Sequence, residues 1–297
     1  MSIFISGLES FLGKELLRAC KKRNIEATGI DSLPSTHPGS AVCDIRSAEV
    51  AQHIPEGVDT VIHLAALSSD PDCKAKAKAC FDCNVMGTLN MLEAAESRGA
   101  KQFIFASSEW VYDAFAADEP PKTEESIINA SNLNSEYAFS KLTSEINLRQ
   151  HFQHGSLPIT ILRFGILYGP RDNPRSAVES IFKSVCVKDE LTVGSLNTGR
   201  HFVHVSDAAG AILAAKGLAG FEILNVQADS IVTLGDVIEV GSKLTGKKPQ
   251  VSESDADNPS RRSVSNAKIK SLTGWKPEIT LEAGLRTLAE RWKIDLV

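Results

Sequence analysis

The 297-residue sequence lacks several features that mark specialised classes of protein. No apolar run approaches the roughly 20 residues needed to span a bilayer, so we expect no contact with a membrane. The net charge of −5 offers no basic surface for a nucleic acid, and we expect no such partner. The opening stretch MSIFISGLES has no basic leader before its apolar residues. These absences favour a cytoplasmic globular protein.

Cysteine is sparse, and its spacing does not suit a metal site. Six cysteines are present, including Cys73 and the CFDC stretch at 80–83. Zinc needs about four ligands, and no second CxxC or HxxxH follows at a suitable distance. The stretch also has helical spacing, which is typical of small buried thiols. We therefore expect reduced cysteines and no metal ion.

Apolar segments of two kinds alternate through the first 168 residues. SIFIS (2–6), TVIHLAA (60–66) and ITILRFGILY (159–168) have the composition of buried strands. Between such segments, 79–98 and 135–152 have the apolar spacing of helices. Strands alternating with helices predict an α/β fold, in which a parallel sheet is covered on both faces.

The alternation ends after YGPRDNP (168–174), and mixed short elements follow as far as the amphipathic stretch 281–292. We therefore expect a nucleotide-binding domain of residues 1–168 and a smaller lobe formed mostly by 169–297. The stretch around 200–227 is expected to return to the first domain.

A glycine-containing turn, GLESFLG, joins the first strand to the first helix. Gly7 permits a tight turn and Gly13 lets the helix lie close to the sheet, which places a dinucleotide pyrophosphate at the helix N-terminus. Ser10 occupies the middle position, where its hydroxyl can donate to the phosphate. Phe11 and Leu12 complete a turn that predicts a dinucleotide cofactor.

Acidic residues follow the next two strands. Asp31 ends IEATGID, where a carboxylate accepts from the ribose hydroxyls of NAD and repels the 2′-phosphate of NADP. The alternative is an ordinary turn aspartate. In CDIRS (43–47), Asp44 and Ile45 can flank the adenine. The cofactor predicted from these residues is NAD.

Hydroxyl groups cluster where the strand KQFIFAS ends. Ser108 lies in ASSEWVY (106–112), at the strand end where open α/β sheets bind ligands. Further along, YAFSK places Tyr137 and Lys141 on one helical face. A lysine ammonium and an oxidised nicotinamide favour a phenolate over the phenol, whose ordinary pKa is about 10. We interpret the three residues as catalytic; the alternatives are a capped turn and a surface Tyr–Lys pair.

Eight motifs, spread over nearly the whole chain, occur in the same order as in a known protein family. They are GLESFLG, VIHLAALSS, NVMGTLNMLEAA, FASSEWVY, YAFSK, LRFGILYGP, RHFVHVSDAAGAI and LTGWKPEITLEAGL. The chain resembles the extended short-chain dehydrogenases/reductases of the NAD-dependent epimerase/dehydratase type. This resemblance implies a Rossmann-type doubly wound parallel sheet with a smaller C-terminal α/β substrate lobe. It also implies catalysis by Ser108, Tyr137 and Lys141.

The resemblance assigns further residues to the cofactor. The turn after the strand TVIH borders the cofactor, Asn84 supports that wall, and Phe164 lies at the nicotinamide end. The residues placed beside NAD in this way are Leu64, Ala65, Ala66, Asn84, Ala106, Tyr137, Lys141 and Phe164.

The implied substrate is a nucleotide-diphosphate sugar. Arg200 in TGRHFVHV and Arg262 in SRRSVSN resemble the family's diphosphate contacts, and an arginine fork suits phosphate. The alternative for each is a solvated surface charge. Ser68 and Glu109, with Ser108, are the further predicted substrate contacts.

The reaction type depends on the two residues after Ser108. The 4,6-dehydratases of the family have two acids there, whereas this chain has Glu109 and then Trp110, which disfavours dehydration. The resemblance favours a 4-epimerase. A nucleotide-sugar 4-ketoreductase and a non-catalytic dinucleotide-sensing protein remain alternatives. Asp113 replaces the family's glycine after VY and is expected to reshape the substrate pocket.

Family members commonly pair through two helices from each subunit. The corresponding segments here are 79–98 and 135–152. Apolar residues cover more than one face of the first segment, although the second is interrupted by polar positions. We therefore expect a homodimer; the alternative is packing of these faces within one subunit.

Overall fold

The computed structural model describes residues 2–112, 115 and 119–297. In chain order the strands of this part are β1 (Ser2–Ser6), β2 (Glu26–Asp31), β3 (Ser40–Val42), β4 (Thr60–His63), β5 (Phe103–Ser108), β6 (Ile159–Phe164), β7 (Leu167–Tyr168), β8 (Glu190–Val193), β9 (Gly199–Arg200), β10 (Val203–His204), β11 (Phe221–Val226), β12 (Val232–Thr233) and β13 (Gln250–Glu253). The helices are α1 (Phe11–Lys22), α2 (Val50–His53), α3 (Asp70–Cys73), α4 (Ala77–Phe81), α5 (Gly87–Ser97), α6 (Glu136–His154), α7 (Ala177–Val187), α8 (Val205–Ala214), α9 (Leu234–Thr245), α10 (Ala267–Thr273) and α11 (Leu281–Trp292).

Seven of the described strands form one parallel sheet, in the order β11-β6-β5-β4-β1-β2-β3. The chain leaves β1 toward β2 on one side and returns to β4 on the other, so β1 and β4 flank the point where the strand order reverses. Ligands of open α/β sheets bind in the crevice at that point, beside the carboxyl ends of the strands. The predicted doubly wound parallel sheet is confirmed.

Apolar residues of the central strands alternate between two cores. Ile104 of β5 lies in the core beneath α1 and α8, whereas its neighbours Phe103 and Phe105 lie in the core beneath α5 and α6. Successive side chains of a strand point to opposite faces, so a sheet covered on both sides has strands that are apolar throughout. All six residues of β6 are buried accordingly.

A smaller core joins elements from the last third of the chain. It contains side chains of α7, β8, α9 and α11, and β8 pairs in parallel with β13. β11 instead pairs with β6 at the edge of the main sheet. The division into residues 1–168 and 169–297 remains a prediction, and we propose it with the stretch up to β11 assigned to the main sheet.

The helix predicted over 79–98 is interrupted by a π-helical turn, Asp82–Met86, between α4 and α5. A π-turn contains one residue more than a regular α-helical turn and is found mostly at functional sites. Asn84 lies in this turn, and the side chain is 1% exposed. Apolar spacing cannot predict such a turn, because it records which residues are buried and not how many fill one turn.

The expectation of six reduced cysteines is wrong for one pair, because Cys73 and Cys80 form a disulfide. Ala75, at φ 58°, lies in the reversal between α3 and α4, and the two cysteine Cα atoms are 5.2 Å apart. That separation suits a disulfide. Cys20, Cys43, Cys83 and Cys186 are free thiols.

Residues 2–112, 115 and 119–297 contain neither a membrane-spanning helix nor a cluster of metal ligands. Every helix in this part is too short or too polar to cross a membrane. The same residues include no group of three or more His, Cys, Asp or Glu side chains placed to hold a metal ion.

Candidate functional site

A cleft of about 1390 Å³ lies at the carboxyl ends of β1, β4, β5 and β6. Parallel strands bring these ends together, so residues far apart in the sequence meet here. Of the residues predicted to bind cofactor or substrate, those that line the cleft are Ser10, Phe11, Leu12, Leu64, Ala66, Ser68, Ala106, Ser108, Tyr137, Lys141 and Phe164.

The turn after β1 fits closely against its neighbours. Gly7 has φ 85°, and a Cβ added there would lie 2.8 Å from the backbone nitrogen of Ala65. A Cβ added at Gly13 would collide with the carbonyl oxygen of Gly7. Both positions therefore require glycine, which holds the backbone of the turn at the edge of the cleft.

Ser10 caps helix α1. Its Oγ accepts a hydrogen bond from the N–H of Gly13 at 3.0 Å, which uses a lone pair and not the hydroxyl proton that we predicted to donate to phosphate. Among the described residues, this cap leaves the N–H groups of Phe11 and Leu12 at the first turn for a ligand. A helix N-terminus with such donors suits a pyrophosphate. The turn therefore fits a dinucleotide, and the contact between Ser10 and phosphate remains a prediction.

Asp31 is held at the end of β2 by two backbone groups. Its Oδ2 accepts from the N–H of Glu9 at 2.8 Å and its Oδ1 from the N–H of Leu33 at 3.0 Å. A fixed carboxylate with remaining lone pairs suits two ribose hydroxyls. Asp31 does not line the cleft, which ends nearer the strands β1 and β4.

Asp44 and Ile45 also lie outside the cleft. The Asp44 carboxylate forms an ion pair with Arg46, with 2.9 Å from Nε to Oδ1. This hydrogen bond lowers the pKa of Asp44 below its ordinary range. Ile45 is buried, and its side chain fills the space beside Gly87. The structure assigns both residues interactions within the chain itself.

Asn84 anchors the loop that follows β4. Its Oδ1 accepts from the N–H of Leu67 at 2.8 Å, and its Nδ2 donates to the carbonyl oxygen of Leu67 and to Ser140 Oγ, both at 3.0 Å. Ser140 lies on α6, so one amide joins the loop to the helix that contains Tyr137 and Lys141. This arrangement agrees with the predicted supporting role of Asn84.

The three candidate catalytic residues lie together in the cleft. Ser108 is the last residue of β5, and its side chain lies near enough to Tyr137 to influence the pKa of the phenol. Ser135 caps the start of α6, which places Tyr137 in the first turn and Lys141 one turn later. The Lys141 Nζ donates to the carbonyl oxygen of Ala106 at 2.7 Å.

Burial disfavours the charged form of both Tyr137 and Lys141. It raises the pKa of Tyr137 to about 12; the neighbouring Ser108 hydroxyl opposes this rise, and the Asp72 carboxylate adds to it. Burial lowers the pKa of Lys141 to about 8, against the opposing influence of Cys83 and Glu145. Among the described residues, Lys141 is not one of the groups that shift the pKa of Tyr137.

Glu109 is placed behind the cleft and not in it. The side chain is 1% exposed, and its Oε1 has no hydrogen-bond partner among the described residues. The Gln227 amide, oriented to satisfy both neighbours, donates to Glu109 Oε2 at 3.3 Å and accepts from the N–H of Gly165 at 3.1 Å. Burial raises the pKa of Glu109 to about 7, which Arg262, Arg200 and Gln227 partly oppose.

Arg200 and Arg262 lie near Glu109 and near each other. Neither lines the cleft directly. The backbone N–H of Arg262 donates to the carbonyl oxygen of Gly199 at 3.3 Å, which brings the two arginines onto neighbouring segments. The guanidinium of Arg262 stacks on Trp110, which does line the cleft.

Two site features were missed from the sequence. One is Gln227, which links Glu109 to the cleft residue Gly165. The other is Glu145 of α6, which forms a buried ion pair with Arg163 of β6. No motif spacing indicated either one; a charged residue inside the apolar segment ITILRFGILY was the only signal of the second. Asp113 lies outside the residues that the structure describes.

Glu109→Gln is expected to remove a pH-dependent cost to stability. The pKa of Glu109 is about 7 in the folded chain and about 4.5 in the unfolded chain. The folded state therefore keeps the proton on Glu109 up to a higher pH than the unfolded state does. Stability is therefore lost as pH rises from about 4.5 to 7, by an amount on the order of 3 kcal/mol. The variant lacks this loss. The unfolding free energy of Glu109→Gln minus that of the unmodified chain should therefore be larger at pH 8 than at pH 5.

Denaturant unfolding of both chains at the two pH values measures this difference. The exposed glutamate of β2 provides a matched control, Glu26→Gln. A Glu109→Gln advantage that stays the same between pH 5 and pH 8 would contradict the prediction.

Comparison with known proteins identifies the family. Residues 3–226 match the model of the NAD dependent epimerase/dehydratase family. The chain is 29% identical over 315 residues to a Bacillus subtilis protein described as an uncharacterized UDP-glucose epimerase, with 96% of each chain covered. It is 28% identical over 305 residues to a GDP-6-deoxy-D-mannose reductase of Pseudomonas aeruginosa, with 98% of this chain and 97% of the relative covered. A UDP-glucuronic acid decarboxylase of Arabidopsis thaliana is 27% identical over 310 residues, with 100% and 90% covered.

Solved structures share the fold over almost the whole chain. The UDP-glucose 4-epimerase of Thermotoga maritima, solved with UDP-glucose, has a TM-score of 0.86 at 23% identity, with 99% of both chains covered. A Pseudomonas aeruginosa protein solved with NADPH has a TM-score of 0.85 at 26% identity, with 98% of both chains covered. The chain is thus a member of the NAD dependent epimerase/dehydratase family, an enzyme with the Rossmann-type fold and the NAD dependence that its motifs predict.

Proposed function

We propose that this enzyme is an NAD-dependent nucleotide-sugar epimerase that acts at carbon 4 of the sugar. The observation that carries the proposal is the meeting of Ser108, Tyr137 and Lys141 in one cleft. NAD, when bound, accepts a hydride from a sugar carbon and returns it. Phe11 and Leu12 at the N-terminus of α1, with the wall at Leu64–Ala66, are the residues that would hold it.

The chain supplies the proton transfer. We assign to Tyr137 the removal and return of the proton on the sugar hydroxyl, because its phenol lies in the cleft beside Ser108. This role requires the phenolate, which the positive charge of oxidised NAD, when bound, would favour. Ser108 then orients the same sugar oxygen. With a pKa of about 8, Lys141 is protonated at neutral pH, and its charge stabilises an oxyanion formed nearby.

Trp110 argues against dehydration. A 4,6-elimination needs a second carboxylate to take a proton from carbon 5, and an indole at this position provides no base. The carboxyl group of Glu109 is buried behind the cleft. Epimerisation needs neither group.

A nucleotide-sugar 4-ketoreductase is the second candidate. It uses the same three residues but exchanges its cofactor in each turnover. The similarity to a GDP-6-deoxy-D-mannose reductase over nearly both chains favours this candidate.

Incubation with UDP-, dTDP- and GDP-sugars, with and without added NADH or NADPH, distinguishes the two. Interconversion of two sugars without net change in NADH is the result that the epimerase predicts. Stoichiometric consumption of NADH or NADPH with a 4-keto sugar would reject the epimerase in favour of the reductase.

Tyr137→Phe is expected to abolish turnover and leave dinucleotide binding close to that of the unmodified chain. The change removes one hydroxyl and keeps the ring, so loss of fold is a poor explanation. Tyr168→Phe is the matched control, since Tyr168 is also buried but does not line the cleft. Turnover by Tyr137→Phe above about a tenth of the unmodified rate would reject the role.

Asp31→Asn is expected to narrow the preference for NADH over NADPH by roughly tenfold, because it removes a negative charge that repels the 2′-phosphate. The amide oxygen can still accept one of the two backbone hydrogen bonds of the turn. Titration of both reduced dinucleotides by fluorescence gives the two Kd values. Tighter binding of NADPH than of NADH by the unmodified chain would be incompatible with the assigned role.

We also propose a homodimer formed through the π-turn and α6. Met86, Phe139 and Ile146 on these elements are 57%, 44% and 53% exposed, so both elements have apolar surface available to a partner subunit. Light scattering is expected to give twice the 32.0 kDa mass of the chain. Ile146→Glu should shift the mass toward the monomer with unchanged circular dichroism. A monomer at every micromolar concentration of the unmodified chain would refute the dimer.

A further inference from the structure

Trp110 connects two parts of the site that are distant in the sequence. It is half-buried, lines the cleft and packs against the cluster of Cys73, Cys80 and Tyr137. The guanidinium of Arg262 lies over its ring, 4.8 Å from the ring centre. Trp110 therefore lies between the candidate catalytic tyrosine and an arginine that was predicted to bind substrate.

The guanidinium of Arg262 is held mainly by aromatic rings. Besides Trp110, Phe115 lies 5.4 Å from it. Within residues 2–112, 115 and 119–297, no carboxylate forms an ion pair with this guanidinium, although Glu109 is near enough for Arg262 to influence its pKa. Stacking uses the face of a guanidinium and leaves the N–H groups at its edge available.

Arg200 differs in this respect. Its Nη1 donates to the carbonyl oxygens of Ser260 and Gly199, and its Nη2 donates to Ser260 Oγ at 2.9 Å. Its donors are therefore largely used within the chain. Of the two arginines predicted to contact the diphosphate, Arg262 is the one whose guanidinium N–H groups bind no other described residue.

We propose that Trp110 is a positioning residue, whose ring fixes the guanidinium of Arg262 so that its N–H edge binds the diphosphate of the substrate. This inference rests on the proposed nucleotide-sugar substrate. Trp110 takes no part in the chemical step. A fixed guanidinium loses less conformational freedom when phosphate binds, so its affinity for the anion is higher than that of a mobile side chain.

Binding of UDP and GDP to the enzyme loaded with NAD, measured by calorimetry, tests the role. Trp110→Leu removes the π face and should weaken binding about 3- to 10-fold, the size of a cation–π interaction. Trp110→Phe keeps an aromatic face and should remain within about 2-fold of the unmodified chain. Phe221→Leu is the matched control, because Arg149 stacks on Phe221 at 5.0 Å, at the opposite end of a strand from the cleft.

Reactivity of Arg262 toward phenylglyoxal, read by peptide mass spectrometry, tests the stack without any nucleotide. A stacked guanidinium reacts slowly, so Trp110→Leu should accelerate modification of Arg262 several-fold, whereas Trp110→Phe and Phe221→Leu should not. With the substrate found by the sugar panel, Trp110→Leu should raise KM more than it lowers kcat.

Each outcome decides a defined point. Equal nucleotide affinity of Trp110→Leu and the unmodified chain, or an unchanged modification rate at Arg262, overturns the positioning role. The positioning role is also overturned if Trp110→Phe binds the nucleotides as weakly as Trp110→Leu does, because the aromatic face would then be irrelevant. If the unmodified chain binds neither nucleotide, the nucleotide-sugar assignment and the diphosphate role of Arg262 fail together, while the modification rate still tests the stack.

Discussion

The placement of α6 against the sheet depends on a buried ion pair between Arg163 and Glu145. Their side chains are each 4% exposed, and Nη2 of the arginine lies 2.6 Å from Oε2 of the glutamate. The hydroxyl of Ser107 donates to the same carboxylate, and Arg163 Nη1 donates to the hydroxyl of Tyr112. A buried pair is tolerated only when its remaining donors and acceptors are satisfied, as they are here. Since Ser107 adjoins Ser108, this pair sets the distance between the strand and the helix of the site.

The cleft shows a consistent division of hydrogen-bonding groups. The side chains of Asn84 and Arg200 form hydrogen bonds within the chain itself. Among the described residues, the N–H groups of the first turn of α1 and those of the Arg262 guanidinium have no such hydrogen-bond partner. The internally bonded side chains hold the walls of the cleft rigid. The remaining N–H donors are therefore already oriented before a ligand binds, which lowers the conformational entropy lost on binding.

The sequence predicted those parts of the site that depend on spacing along one element. Tyr137 and Lys141 meet because they are four residues apart on a helix, and Ser108 joins them because strands of a parallel sheet end at one edge. Gly7 and Gly13 were predictable because a Cβ at either position would collide with neighbouring backbone, so only glycine fits there. The sequence did not reveal that Glu109 turns away from the cleft while Trp110 turns toward it. The partner of the buried Glu109 carboxyl is Gln227, which follows the edge strand β11 and lies far from Glu109 in the sequence.

The π-turn at Asp82–Met86 sets the rotation of α5 relative to α4, and with it the position of Asn84 at the wall of the cleft. Deleting one residue there would restore a regular α-helix, and it would also rotate one half against the other by about 100°. Asn84 would then leave Leu67 and Ser140, while the buried faces of α4 and α5 could not both stay in place. An insertion or deletion of one residue in this stretch would therefore disrupt the wall of the cleft, whereas a substitution leaves the register of the helix intact.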